Sequence, residues 1–389
     1  MKGSIKQRSP GSWTIRCDLP RDHNGRRRQK VVTYRGTKRD AQRELTRILH
    51  EMNEGLHVEP SEMTVAQYLE RWLEDYARPN TSPKTMERYT DWVCGHLSPA
   101  LGTLKLRNLT PLHIQDLYAA ALARGRRDGR GGLAPQSVLH LHRVLHQALD
   151  RAVRWQLLAR NPAAVVDPPR VVRRDMRILS DDEAGQLLTA AQGTRLYVPI
   201  LLALTTGLRR GEVLALRWKD VDLERAVLAV TRTLEQTVER LAFKEPKTKR
   251  SRRVVTLPST IVGVLRSHKV AQAQDRLLLG LGRDETALVV SRYDGEPQNP
   301  RNFSKEFTRI ARGAGLEGVG FHTLRHTHAT QLLASNVHPK VAQERLGHST
   351  VATTLDIYSH VVPSMQEDAA QKTDVAIRSV INGHTENTT

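Results

Sequence analysis

Cysteine is scarce in this chain: Cys17 and Cys94 are the only two among 389 residues. Two cysteines cannot form a disulfide framework, and this pair lacks metal-ligand spacing, so a reducing, cytoplasmic setting is expected. Long apolar runs are also missing. The best, Leu196 to Leu204, is interrupted by Pro199, whereas a membrane span needs ~18 apolar residues. The N-terminus is basic and polar without the apolar segment of a secretory signal. Negative charge is in short supply, with 41 Asp+Glu against 60 Lys+Arg and a net charge of +19. That imbalance points to a polyanion, and nucleic acid is the default partner of such a chain. Hydrophobic residues reach 39%, enough for real cores, which excludes wholesale disorder. The length suggests two or three domains.

The positive excess begins at the N-terminus, where residues 1–57 hold 14 Lys+Arg against 6 Asp+Glu. Ser12 to Leu19 alternates as a strand does, Asp22-His23-Asn24-Gly25 signals a turn, and Gln29 to Arg35 reads as a second strand. Thr37 then caps a helix carrying Ala41, Leu45, Ile48 and Leu49. This small sheet backed by one helix is followed by linker-like Gly55 to Ser61. Residues 62–165 read as a helical domain. Its helices cover Thr64–Arg78 and start again at Ser82-Pro83, Thr110-Pro111 and Pro135, each with apolar residues on one face. Between the last two, Arg124 to Gly132 is expected to be a mobile basic loop. A second linker, rich in proline and arginine, runs from Asn161-Pro162 past Pro168-Pro169 to Arg177. The Ser180/Glu183 capping box then opens a third domain, 178–389. Its order is mixed, with helices near 181–191, 195–206, 259–279, 301–313, 322–335 and 338–346 and strands at Val227–Thr233 and Arg253–Leu257.

Five places in that domain hold polar residues that a plain core would not need. Thr205 to Glu212 reads TTGLRRGE, putting Arg209 and Arg210 at a helix start, where free N–H groups favour an anion, with Glu212 placed to pair with Arg209. Lys244 to Arg253 is a basic run between two strands that could lie over a phosphate backbone or simply be solvated surface. HTLRHTH places His322, Arg325 and His326 on one helical face. The histidine spacing invites a zinc reading. Thr323 stands where a metalloprotease has its glutamate, however, and Arg325 would repel a cation. LGHS contributes His348, and TTLDIYSH contributes Tyr358.

Taken in order, TGLRRGE, PKT, HTLRH, LGHS and TTLDIYSH resemble the tyrosine recombinases, or phage-type integrases, across residues 178–365. The resemblance implies a multidomain, mainly α fold with small β-sheets, ending in an α+β catalytic domain. It implies catalytic residues Arg209, Lys247, His322, Arg325, His348 and the nucleophile Tyr358, with Lys244 and Lys249 as rivals for the lysine. Arg209 is preferred to Arg210 because the family's arginine directly follows Gly-Leu. The helical region is similar to the family's core-site DNA-binding domain, and residues 1–57 to an arm-site-binding module. The implied activity is site-specific recombination through a 3′-phosphotyrosyl intermediate, without metal or nucleotide cofactor. It would integrate or excise a mobile element such as a prophage or integrative plasmid. The implied partners are double-stranded DNA, three further copies in a tetramer on DNA, and an accessory DNA-bending or directionality protein, with no membrane. A chromosome-resolving recombinase and a non-catalytic DNA-binding regulator are the alternatives. The stretch from Gln366 to Ile381 is expected to pack on a neighbouring protomer.

Overall fold

The computed structural model describes residues 3–19, 25, 28–53, 62–172, 176–245, 252–282, 284–358, 370–371, 373–375 and 377–378. Lys247, Lys249, the 22–24 part of the first turn and the Gly55–Ser61 linker therefore lie outside the described residues. Cα packing divides the chain into two compact units, 1–173 and 174–389.

The first unit opens with an antiparallel sheet of three strands, β1 (Gly3–Ser9), β2 (Ser12–Leu19) and β3 (Arg28–Arg35), followed by α1 (Lys38–Asn53). Sequence patterning had suggested two strands. β1 is the third, and it escapes notice because Ile5 is its only large apolar residue. Ile15 and Cys17 on one face of β2 are buried against Leu45 and Ile48 of α1, which forms a small core of its own.

The helices of residues 62–165 have a separate core. Thr64 caps α2 (Val65–Trp72), which continues through a π-helical turn at Leu73–Ala77 into α3 (Arg78–Asn80). Ser82 caps α4 (Pro83–Trp92), and a second π-helical turn, Val93–Leu97, leads into α5 (Ser98–Leu101). α6 (Pro111–Arg124) and α7 (Pro135–Arg154) complete the set. Trp72 stacks on Tyr89 with ring centroids 5.3 Å apart, and the Tyr68 hydroxyl donates to the Ala148 carbonyl. The basic loop after α6 makes one contact with α4. Arg127 donates to the Asp91 carbonyl at 2.8 Å and to its carboxylate at 2.6 Å. Its guanidinium lies so close to Gly95 that any Cβ there would collide with it. The acid it meets sits on α4, 36 residues earlier.

The second unit is α+β. α8 (Asp181–Ala191) starts at the expected capping box, with Ser180 and Glu183 bonding each other's backbone. α9 (Tyr197–Thr206) is apolar and buried on nearly all sides and ends at Gly207, whose φ of +66° is left-handed. A four-residue helix, α10 (Arg210–Val213), follows. Strands β4 (Val221–Asp222), β5 (Val227–Val230) and β8 (Arg253–Thr256) form one antiparallel sheet, while β6 (Thr233–Gln236) and β7 (Leu241–Lys244) form a hairpin. The expected strand 227–233 thus breaks at Thr231-Arg232. Its first half pairs with β8 and the stretch after the break with β7. The basic run is the excursion that separates β7 from β8. The remaining helices are α11 (Ser259–Leu278), α12 (Pro300–Gly313), α13 (Phe321–Ala334), α14 (Pro339–Leu346) and α15 (Val351–Tyr358). Phe303, Phe307 and Phe321 meet edge to face between α12 and α13. Beyond α15, helical backbone is described at 370–371, 373–375 and 377–378; the rest of the expected packing segment lies outside the described residues. Among the described residues no helix is long and apolar enough to cross a membrane.

Candidate active site

A helix leaves its last carbonyls without intrahelical partners, and its dipole makes that end attractive to cations. α14 satisfies both demands with arginines from three other places in the unit. Arg253 Nε of β8 donates to the Arg345 carbonyl at 2.7 Å. Arg325 Nη2 of α13 donates to the Leu346 carbonyl at 2.7 Å. Arg209 Nη2, just before α10, donates to the Gly347 carbonyl at 3.1 Å. Arg325 Nη1 also reaches the Gly207 carbonyl beyond α9 at 2.6 Å. Gly347, at φ +66°, lets the chain turn away, and a Cβ there would press on the Arg253 side chain.

Glu212 is the carboxylate shared within this cluster. It accepts from Arg209 Nη1 at 2.9 Å, from Arg253 Nη1 at 3.2 Å and from Arg253 Nη2 at 2.9 Å. It also accepts from the backbone N–H of Arg209 at 2.9 Å. Burial alone would raise its pKa. The Arg253 hydrogen bonds and the charges of Arg253 and Arg209 outweigh that and hold the carboxyl below its usual range. The anion at this helix start is therefore the protein's own carboxylate, whereas free N–H groups had been expected to await an external one. Three guanidiniums against one carboxylate leave this cluster with net positive charge.

The histidines sit in the field of these arginines and stay neutral. His322 and His326 stand edge to face, 4.8 Å between centroids. His322 is exposed, yet desolvation by the chain around its ring, with His326, Arg325 and Arg209, lowers it to about 4. His348 is half-buried, and burial with Arg325 and Arg209 lowers it to about 3. Its Nδ1 lies 3.0 Å from the hydroxyl of Thr354, a buried residue of α15. If Nδ1 accepts that hydroxyl proton, Nε2 carries the hydrogen and can donate to an anion. A neutral imidazole has a ring nitrogen that can accept a proton at pH 7, which an imidazolium lacks.

Tyr358 is the last residue of α15, one turn beyond Thr354 and at the same helical face; its side chain lies outside the described residues. α15 packs against α13 and α14, so the backbone carrying Tyr358 and the two histidine positions belong to one assembly. Arg210 diverges from Arg209 and donates to Ser304 on α12 at 2.5 Å. Lys244 is paired with Glu235 across the β6–β7 hairpin. Arg253 and Arg345 were missed in the sequence. The first was hidden at the end of a run that looked like solvated surface. The second bonds His328 Nε2 at 3.2 Å and the Thr205 carbonyl at 2.9 Å. Among the described residues, no three His, Cys, Asp or Glu side chains form a group that could hold a metal ion.

The model of the phage integrase family matches residues 177–365, and the model of the phage integrase N-terminal SAM-like domain matches residues 64–121. The chain belongs to the tyrosine recombinase family. It is a tyrosine-type site-specific DNA recombinase. Its relatives include a tyrosine recombinase XerC-like protein of Caldanaerobacter subterraneus, 28% identical over 92% of this chain and 95% of that protein. An integrase of Streptomyces ambofaciens is 29% identical over 92% of each, and the ICEBs1 integrase of Bacillus subtilis is 30% identical over 62% of this chain and 66% of its own length. The fold is similar to that of the Tn1549 transposon integrase in complex with transposon right end DNA. That match has a TM-score of 0.66 and 21% identity over 81% of this chain and all of that one. A lambda integrase dimer bound to a core site gives a TM-score of 0.58 and 19% identity over 91% of this chain and 93% of that one.

Proposed function

We propose that this recombinase integrates or excises a mobile element by cutting and rejoining DNA through Tyr358, with Arg209 and Arg325 clamping the scissile phosphate. The observation that supports this reading is the convergence of Arg209, Arg325 and the neutral His348 on the end of α14, with α15, the helix that ends in Tyr358, packed against α14. Guanidiniums are planar, bidentate and charged at any relevant pH, which suits a pentavalent phosphate carrying extra negative charge. The Tyr358 oxygen attacks phosphorus, its proton passing to His322. The bond to the 5′ oxygen breaks, and Lys247 supplies the proton that makes it a hydroxyl. Lys244 is already held by Glu235, so it is the weaker rival for that part. The phosphotyrosyl ester conserves the phosphodiester energy, so a second 5′-hydroxyl reverses the step without ATP. No step calls for a metal or nucleotide.

DNA is the partner throughout. Residues 62–165 hold the core site and the basic sheet-and-helix module of residues 1–57 holds arm sites, with residues 178–389 as the catalytic domain. A lambda integrase tetramer bound to a Holliday junction is among the similar folds, and four copies would supply the four strand cleavages of one exchange. The reaction takes place in the cytoplasm, where an accessory DNA-bending or directionality protein sets its direction. Incubating the wild type and Tyr358→Phe with sheared, nicked source DNA, followed by denaturation and sequencing of covalently held fragments, tests the reading. The wild type should retain fragments clustered at one or two inverted-repeat loci, and Tyr358→Phe should retain none while still binding DNA. Equal retention by both removes Tyr358 as nucleophile.

A further inference from the structure

We infer that Arg253 is a positioning residue for DNA cleavage: by taking up most of the Glu212 carboxylate it leaves the positive charge of Arg209 uncompensated and its guanidinium correctly aimed for the scissile phosphate. The inference rests on the reading of Arg209 as a phosphate clamp.

Arg253 is only 5% exposed. Its Nε is committed to the Arg345 carbonyl and both Nη atoms to Glu212, so its donors face the protein and not a ligand. Arg209, by contrast, is 37% exposed and gives Glu212 one side-chain nitrogen. The two arginines therefore divide the work on one carboxylate. Alone with Glu212, Arg209 would form a neutral pair, and an incoming phosphate would have to compete with a buried carboxylate for its guanidinium. A second guanidinium on Glu212 changes that balance. The triad keeps a net positive charge, and that charge resides on the member which reaches solvent. Arg253 also ties β8 to the end of α14, the segment whose carbonyls hold Arg325 and Arg209. The same side chain thus sets both the charge and the placement of the clamp.

The test uses single-turnover cleavage of a nicked duplex carrying the site recovered by covalent trapping, at saturating protein. Arg253→Ala should bind this DNA normally and cleave it about 10- to 100-fold more slowly, the scale expected when a reacting group is misplaced. Adding Glu212→Gln to Arg253→Ala removes the unopposed carboxylate and should recover several-fold of the rate, a rescue that general loosening of the fold would not produce. In an Arg209→Ala background, Arg253→Ala should cost clearly less than it does in the wild type, because the part of its effect that runs through Arg209 is already lost. If Arg253→Ala fails to fold, Arg253→Lys takes its place in each combination, since one ammonium cannot span both carboxylate oxygens and the Arg345 carbonyl. Absence of rescue by Glu212→Gln, or full additivity with Arg209→Ala, overturns the inference while leaving the clamp standing. Wild-type cleavage by Arg209→Ala alone overturns the clamp itself.

Discussion

The core of residues 62–165 and the junction of α9, α10, α13 and α14 treat buried polarity in opposite ways. The first is built from Trp72, Tyr68, Tyr118 and a set of leucines, valines and alanines. The second buries Glu212, Arg325 and His328 beside leucines. Among the described residues, all nine buried threonines, glutamates, glutamines, arginines and histidines lie between Thr206 and Thr354. Burying charge is a poor way to gain stability, because desolvation offsets most of the attraction. It is a good way to hold a fixed positive field for a reaction whose transition state gains negative charge. One region is packed to stay folded; the other accepts a less favourable interior that holds its guanidiniums in fixed places.

The contrast breaks most visibly at Trp72. Trp72→Ala should destabilise the helical region by about 3–5 kcal/mol, the range for deleting a fully buried large aromatic, measured as a shift of the urea midpoint. The indole N–H of Trp72 has no hydrogen-bond partner among the described residues, so Trp72→Phe should cost much less, under ~1.5 kcal/mol. Equal losses in the two variants would mean that packing is not what this core relies on.

His328 sharpens the other side. It is buried and accepts from Arg345, and burial together with that cation lowers its pKa from 6.5 to about 4. Between these values the unfolded chain binds a proton that the folded chain refuses. Stability is therefore full above pH 6.5 and falls as pH drops toward 4, by roughly 3 kcal/mol for this group alone. Unfolding of the second unit followed at pH 7.5 and pH 5 should show this loss, and His328→Gln should flatten the slope. Equal stability of the wild type at the two pH values would contradict a neutral buried His328.

Much of this was legible in the sequence because the cues are local. Thr64, Ser82 and Thr110 stand before helices, with proline at the first helical position in two of the three cases, and Ser180 with Glu183 announces α8 at the residue. Arg209 and Arg325 stood out through motifs, and Glu212 through its spacing. The rest depends on partners far away in the chain. β1 is mostly polar and exposed and is held by its backbone ladder to β2. The β6–β7 hairpin turns at Thr237–Arg240, without the glycine that would signal it. Arg253 looked like one more charge in a basic run, and its burial follows from Glu212, 41 positions earlier, and from the α14 carbonyls, 92 positions later. The Arg127–Asp91 contact was hidden for the same reason, since Asp91 lies 36 residues before it.

We propose that preset arginines, not a cofactor, provide the catalytic charge. Arg325→Ala tests it most directly, in single-turnover cleavage of nicked DNA with binding and melting temperature measured alongside. Cleavage should fall on the order of 100-fold or more, as when a fixed donor to a developing oxyanion is lost, in protein that still folds and binds DNA. Cleavage within a few-fold of wild type would contradict it.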